Sequence, residues 1–252
     1  MSNWAIFSGI NGNLAAYEAA IADLRRQRFD VDALYILGDL IGPRPDCEAL
    51  VQRVRQPRAG ELPPQVCLGW WEEQCLNLHG MGSDPEAKAL LKQVGSEGVE
   101  ALWESVSRET AQWLTSLDFG FFEFDCLMIH GSTVGVQDEL TPETPPMQLL
   151  DRLMRSDANT LCCGRSGLAF HVKIPEGAVK STVTTLAAPD QTATQTQTQT
   201  VRERQVVGVG SIGREPGKAT YALYSPYTNA VNFRTVKYGD RSKSSGRGFG
   251  QK

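Results

Sequence analysis

Residues 4–39 restrict the fold more than any other stretch of the chain. Trp4-Ala5-Ile6-Phe7 is a short apolar run, closed by Ser8-Gly9-Ile10-Asn11-Gly12-Asn13, a loop of turn-forming residues. From Leu14 the apolar Ala15, Ala19, Ile21 and Leu24 fall near helical spacing, and Arg25 and Arg26 suit the negative end of a helix dipole. Val31–Leu37 is a second apolar run, too short for a helix and ended by Gly38-Asp39. Strand, helix and strand in that compass form a βαβ unit, whose two strands run parallel. The chain is therefore expected in the α/β class.

Composition narrows the function classes. The 252 residues carry a formal charge of −4, which disfavours general nucleic-acid binding by the folded body. No run of about 18 apolar residues exists, so no membrane-spanning helix is expected. Six cysteines, at positions 47, 67, 75, 126, 162 and 163, include no CxxC pair, and no secretory leader precedes them. Reduced thiols in a cytoplasmic protein are the expectation, with Cys162-Cys163 buried in a strand. Only three histidines are present, His79, His130 and His171, so any site built from four or five imidazoles is excluded.

Further along, residues 46–56 read as a helix and Val66-Cys67-Leu68 as a strand. Residues 84–117 read as two helices with Leu90, Leu91, Leu102, Trp103, Val106, Trp113 and Leu114 on their inner faces. Phe119–Phe124 and Leu127–Ile129 form a hairpin pattern that ends at His130-Gly131-Ser132. A helix around 146–156 and a strand at Thr160–Cys163, stopped by Gly164, come next. Residues 180–204 hold a Thr/Gln tract too polar to bury itself and are expected to extend a hairpin as a mobile, low-complexity loop insertion. Strands return at 205–207, 219–224 and 230–237, which closes a domain of residues 1–238. Residues 239–252, with Arg241, Lys243, Arg247 and Lys252 among Ser and Gly, read as a flexible basic tail.

Three blocks, Ser8–Leu14, Leu37–Gly42 and Ile129–Ser132, together resemble the calcineurin-like metallophosphoesterases in their small bacterial branch. Gly164–Gly167 and Val207–Gly213 fall where that branch has its last two motifs. The resemblance implies a two-sheet sandwich flanked by helices, a four-layer αββα arrangement. It also implies two-metal phosphoester hydrolysis, in which paired cations activate a water and neutralise the phosphate.

Most ligand positions of that pattern are altered. Gly9 and Asn11 replace the first-loop aspartate and histidine; Trp70 and Trp71 follow Gly69 where an amide and an imidazole are expected. Arg165 and Gly167 replace a histidine pair, and Gly208 replaces an asparagine. Asp39 and His130 remain, with Glu72 nearby in sequence. Two ligands cannot fix even one hard cation well. The expectation is a closed pocket without metal, in which Arg165 pairs with Asp39 and the indoles fill space. Arg165, Arg44, Trp70 and Trp71 form a candidate anion or partner surface. His79 is expected as a packed side chain, and His171 as a minor candidate for the pocket rim.

The leading functional expectation is a catalytically inactive homologue, acting as a protein-interaction or regulatory module with an unidentified protein partner. The alternatives are an atypical phosphoesterase using Mn2+ or a similar cation through Asp39 and His130, and a nucleotide- or phosphate-binding sensor. The basic tail is the one segment suited to an acidic protein or RNA.

Overall fold

A computed structural model describes residues 3–26, 31–83, 88–188 and 191–239. One sheet has the order β12 (Ala230–Lys237), β11 (Lys218–Ser225), β1 (Asn3–Phe7), β2 (Val31–Leu37), β3 (Pro64–Cys67), with β1, β2 and β3 parallel. The other has the order β4 (Gly120–Glu123), β5 (Cys126–Ile129), β6 (Thr160–Cys163), β10 (Arg204–Val209), β7 (Ala169–Ile174), with β5, β6 and β10 parallel.

The period-two alternation of each strand sorts its side chains between layers. Trp4 and Ile6 of β1, Tyr35 and Leu37 of β2, Met128 of β5 and Val207 of β10 meet between the sheets. Ala5, Phe7, Leu34 and Ile36 face the other way, into α1 (Leu14–Arg26), α2 (Cys47–Arg55), α3 (Trp70–Leu78), α4 (Lys88–Glu104) and α5 (Arg108–Leu114). The outer face of the second sheet, with Ile129 and Leu161, is covered by Leu149 and Leu153 of α6 (Pro146–Met154). The result is a two-sheet α/β sandwich flanked by helices, as expected.

Two expectations need correction. The Thr/Gln segment pairs as antiparallel β8 (Gly177–Ala188) and β9 (Gln191–Val201), with Val183 opposite Gln195, rather than forming a loop. Composition alone concealed this. Thr192, Thr194, Thr196, Thr198 and Thr200 recur at the strand period, and Thr is a favourable strand residue. Leu91 and Trp103 are about half exposed, at 53% and 48%, because Gly95 (φ 70°) interrupts α4 and resets its helical phase. The sequence reading leaves residues 70–78 unassigned; in α3 Trp70, Trp71, Gln74, Cys75 and Leu76 are all buried, so the helix lacks a polar face that would reveal its period. The basic tail lies outside the described residues apart from Gly239.

His79 stacks on Trp103 at 4.3 Å and burial lowers its pKa, which fits a packed side chain. Two of the helices are joined electrostatically. Arg53 of α2 reaches Glu18 of α1 at 2.8 Å and Glu61, ahead of β3, at 2.7 Å. Burial alone would raise the Glu61 pKa, but hydrogen bonds from Arg53 and the Arg58 amide hold it below the ordinary carboxylate value. A carboxylate depressed in the fold contributes stability above its unfolded pKa and loses it as pH falls through the folded value. Glu61→Gln is therefore expected to lower the denaturant midpoint at pH 7 and to flatten the acid limb of stability below about pH 4.5. An acid limb of unchanged slope in urea titrations of the variant would refute this.

Candidate functional site

The six parallel strands of the two sheets deliver their C-terminal ends to one edge of the sandwich. There the polar loops are tied together: Ser8 Oγ donates to Leu37 O at 2.6 Å, Gly164 N to His130 O at 2.8 Å, and Ile212 N to Ser8 O at 3.0 Å. Gly38 (φ 61°) and Asp39 (φ 51°) both adopt left-handed backbone after β2, a costly conformation for a residue with a Cβ. A Cβ on Gly69 would strike the Asp39 amide, so glycine there permits the close approach of the two loops.

Asp39 is wholly buried and its carboxylate is fully engaged. Oδ1 accepts from Trp71 N at 3.0 Å, and Oδ2 accepts from Arg214 Nη2 at 3.0 Å. His130 Nδ1 donates to Leu37 O at 2.8 Å, which fixes the tautomer and turns the Nε2 lone pair toward Asp39 Oδ1, 3.2 Å away. Burial lowers the His130 pKa despite Asp39, and Nε2 has no hydrogen-bond partner. Glu72 is buried one layer beneath. Its Oε2 accepts from Asp39 N at 2.8 Å and Gly69 N at 2.9 Å, and its Oε1 from Ile41 N at 2.9 Å. Burial, and then the Asp39 charge, push the Glu72 pKa up. Glu72 thus shapes the loops and does not line an open site.

The expected Arg165–Asp39 pair is long, at 4.0 Å. Arg165 instead lies over the face of Trp70, 4.6 Å from the ring centroid. The close partner of Asp39 is Arg214, which sequence reasoning missed because it follows the last motif by one residue. Its side chain runs between the two glycines that replace ligand positions. A Cβ on Gly9 would lie 2.9 Å from Ser211 Oγ and 3.3 Å from Arg214 Nε; one on Gly167 would lie 2.7 Å from Arg214 Nη1. Two facing glycines where side chains were expected were the available signal that a long side chain fills the gap.

The remaining candidates divide. Asn11 has left-handed backbone (φ 52°) and a buried Oδ1 with no partner. Arg44 reaches Gly213 O at 3.4 Å, next to Arg214. Trp70 and Trp71 pack edge to face at 4.7 Å and are 4% and 9% exposed, so they fill space and do not present the open aromatic surface that was the alternative. Their place on the first turn of α3 points them into the core. A Cβ on Gly208 would collide with the Phe170 ring, which occupies that volume. His171 bonds Gln205 at 2.8 Å, and Gln205 bonds Thr160 at the opposite end of the strands, so His171 is not on the rim.

The residues present do not fit a pair of divalent cations. Asp39 already accepts from Trp71 N and Arg214, a guanidinium lies between Gly9 and Gly167, and among the described residues no three His, Cys, Asp or Glu side chains converge.

No family profile matches the chain, nor does any curated protein. Among solved structures it resembles a metallophosphoesterase from Sphaerobacter thermophilus, with a TM-score of 0.62 and 18% identity, over 94% of this chain and 89% of that one. It also resembles a hypothetical protein from Pyrococcus horikoshii, with a TM-score of 0.66 and 21% identity, over 95% and 89% of the two chains. With the parallel strand ends, Asp39 and His130 arranged as described, the chain has the metallophosphoesterase fold.

Proposed function

We propose that this protein uses a phosphoesterase fold without phosphoester turnover and works by binding, as an interaction or regulatory module. The observation that carries this reading is the Arg214 guanidinium, hydrogen-bonded to Asp39 and lodged between Gly9 and Gly167. A cation is thereby supplied by the chain itself, at the carboxylate most able to bridge metals. Because Trp70 and Trp71 are buried, partner contacts fall on the arginines and the loops around them. A cytoplasmic location suits six buried free thiols, and no described helix is long and apolar enough to cross a membrane.

The test is hydrolysis of bis(p-nitrophenyl) phosphate and of nucleotides by purified protein, over a panel of Mn2+, Mg2+, Zn2+ and Ni2+. Rates at background, equal to those of Asp39→Asn, are expected. Metal-dependent turnover that disappears in Asp39→Asn or His130→Ala would overturn the reading.

One observation favours the alternative, a weak metal-dependent phosphoesterase. The buried His130 Nε2 has no partner and faces Asp39 at 3.2 Å. The same assay decides between the two. The nucleotide-sensor form fares worse, since the Trp70 face that would stack a base is occupied by Arg165.

A further inference from the structure

Two guanidiniums converge on one carboxylate at the mouth of this site. Arg214 uses its Nη2 donors on Asp39 Oδ2, at 3.0 Å, and Arg165 O, at 2.8 Å; its Nε and Nη1 meet no acceptor among the described residues. Arg165 is more extreme. Its side chain is 14% exposed, yet it makes no hydrogen bond among the described residues, and its Nε is both buried and unpartnered. Its contacts are the Trp70 face, the long approach to Asp39 and the distant charge of Glu139.

A guanidinium withdrawn from water with its donors unmatched is costly, and an oxygen-rich anion is the group that removes that cost. The Arg214 side chain is 29% exposed, which leaves the pair reachable from solvent. Arg44, tied to Gly213, adds a third positive charge beside Arg214, set against Asp39 and the more distant Glu139. The Trp70 indole, 4.6 Å from the Arg165 Cζ, packs against the guanidinium and restrains it without using any of its N–H donors.

We propose that Arg165 and Arg214 form a metal-independent site for a small oxyanion, a phosphate or carboxylate group, with Arg165 as the principal donor. This rests on the reading of the protein as a binding module. It adds the ligand chemistry: the positive charge comes from the chain, so binding needs no divalent cation. The anion would be a free small molecule or an acidic group of a partner, both offering the same oxygens.

The experiment titrates the protein, in EDTA and at constant ionic strength, with inorganic phosphate, sulfate, acetate and a nucleoside monophosphate. Trp fluorescence and thermal melting are the readouts, because Trp70 lies directly beneath Arg165. A saturable fluorescence change is expected, with a rise in Tm of about 3 °C at tenfold excess over Kd. In Arg165→Met, which keeps the stacking volume, Kd should weaken at least about tenfold, whereas the surface control Arg155→Met should match the parent. A response to phosphate but not acetate assigns a phosphate group, and a response to both assigns any oxyanion; either supports the site. No saturable response, an unchanged Kd in Arg165→Met, or binding that requires Mn2+ would overturn it. Metal-dependent hydrolysis would refute the non-hydrolytic reading while leaving anion binding in EDTA intact, so the two failures are distinguishable.

Discussion

Glu72→Ala is expected to destabilise the protein by about 3–5 kcal/mol, as read from the urea midpoint at constant m-value. The size follows from what the carboxylate holds. Three backbone amides, of Asp39, Ile41 and Gly69, end on its two oxygens, and all lie in buried segments. Truncation would orphan all three donors and open a void beneath the loop after β2. Each orphaned buried donor costs about 1–3 kcal/mol, less whatever a penetrating water recovers. Glu72→Gln keeps the shape but sets an amide NH2 against a backbone N–H, so about half of that loss is expected. A loss below about 1 kcal/mol for the alanine variant would show that these loops hold their shape without the carboxylate.

The second large effect concerns Asp39 and Arg214. Arg214→Ala would leave the buried Asp39 carboxylate with the Trp71 amide and the distant Arg165, at a cost of about 3 kcal/mol. The low end of the range for broken buried pairs applies, since Arg214 retains 29% exposure. Asp39→Asn is expected to cost about 2 kcal/mol, because the amide oxygen can still accept from Trp71 N. The double variant Asp39→Asn, Arg214→Ala should be more stable than the sum of the single losses predicts, with a coupling of about 1–2 kcal/mol. Strict additivity in that cycle would mean that the 3.0 Å contact contributes nothing specific.

The sequence foretold the architecture well because its signals were local. The βαβ pattern of residues 4–39 and the strand ends at Gly38-Asp39 and Ile129-His130 depend on chain neighbours and give the parallel pairing, whereas the two-sheet sandwich was what the family resemblance implied. Asp39 and His130 were identifiable because they stand in the Leu37–Gly42 and Ile129–Ser132 blocks, which resemble motifs of a known family. Arg214 was not, since its meaning depends on the gap between Gly9 and Gly167, which are far apart in sequence and adjacent only in the fold. The alternative of a surface role for Trp70 and Trp71 fails for the converse reason. Large aromatic side chains near a motif suggest a surface, but a helix buried on every side shows no periodicity to betray its depth. The Thr/Gln strands were hidden by composition, which weighs what can be buried and overlooks what can pair.

The Asp39–Arg214 contact also crosses a seam. Asp39 stands at the end of β2 in the first sheet, whereas Arg214 follows β10 and hydrogen-bonds the Arg165 carbonyl after β6, both in the second. The two sheets are therefore laced at this edge by covalently tethered groups, which arrive with the polypeptide and cannot be stripped by a chelator. On the reading proposed above, folding of this end is expected to proceed at the same rate and to the same extent in EDTA as in Mn2+.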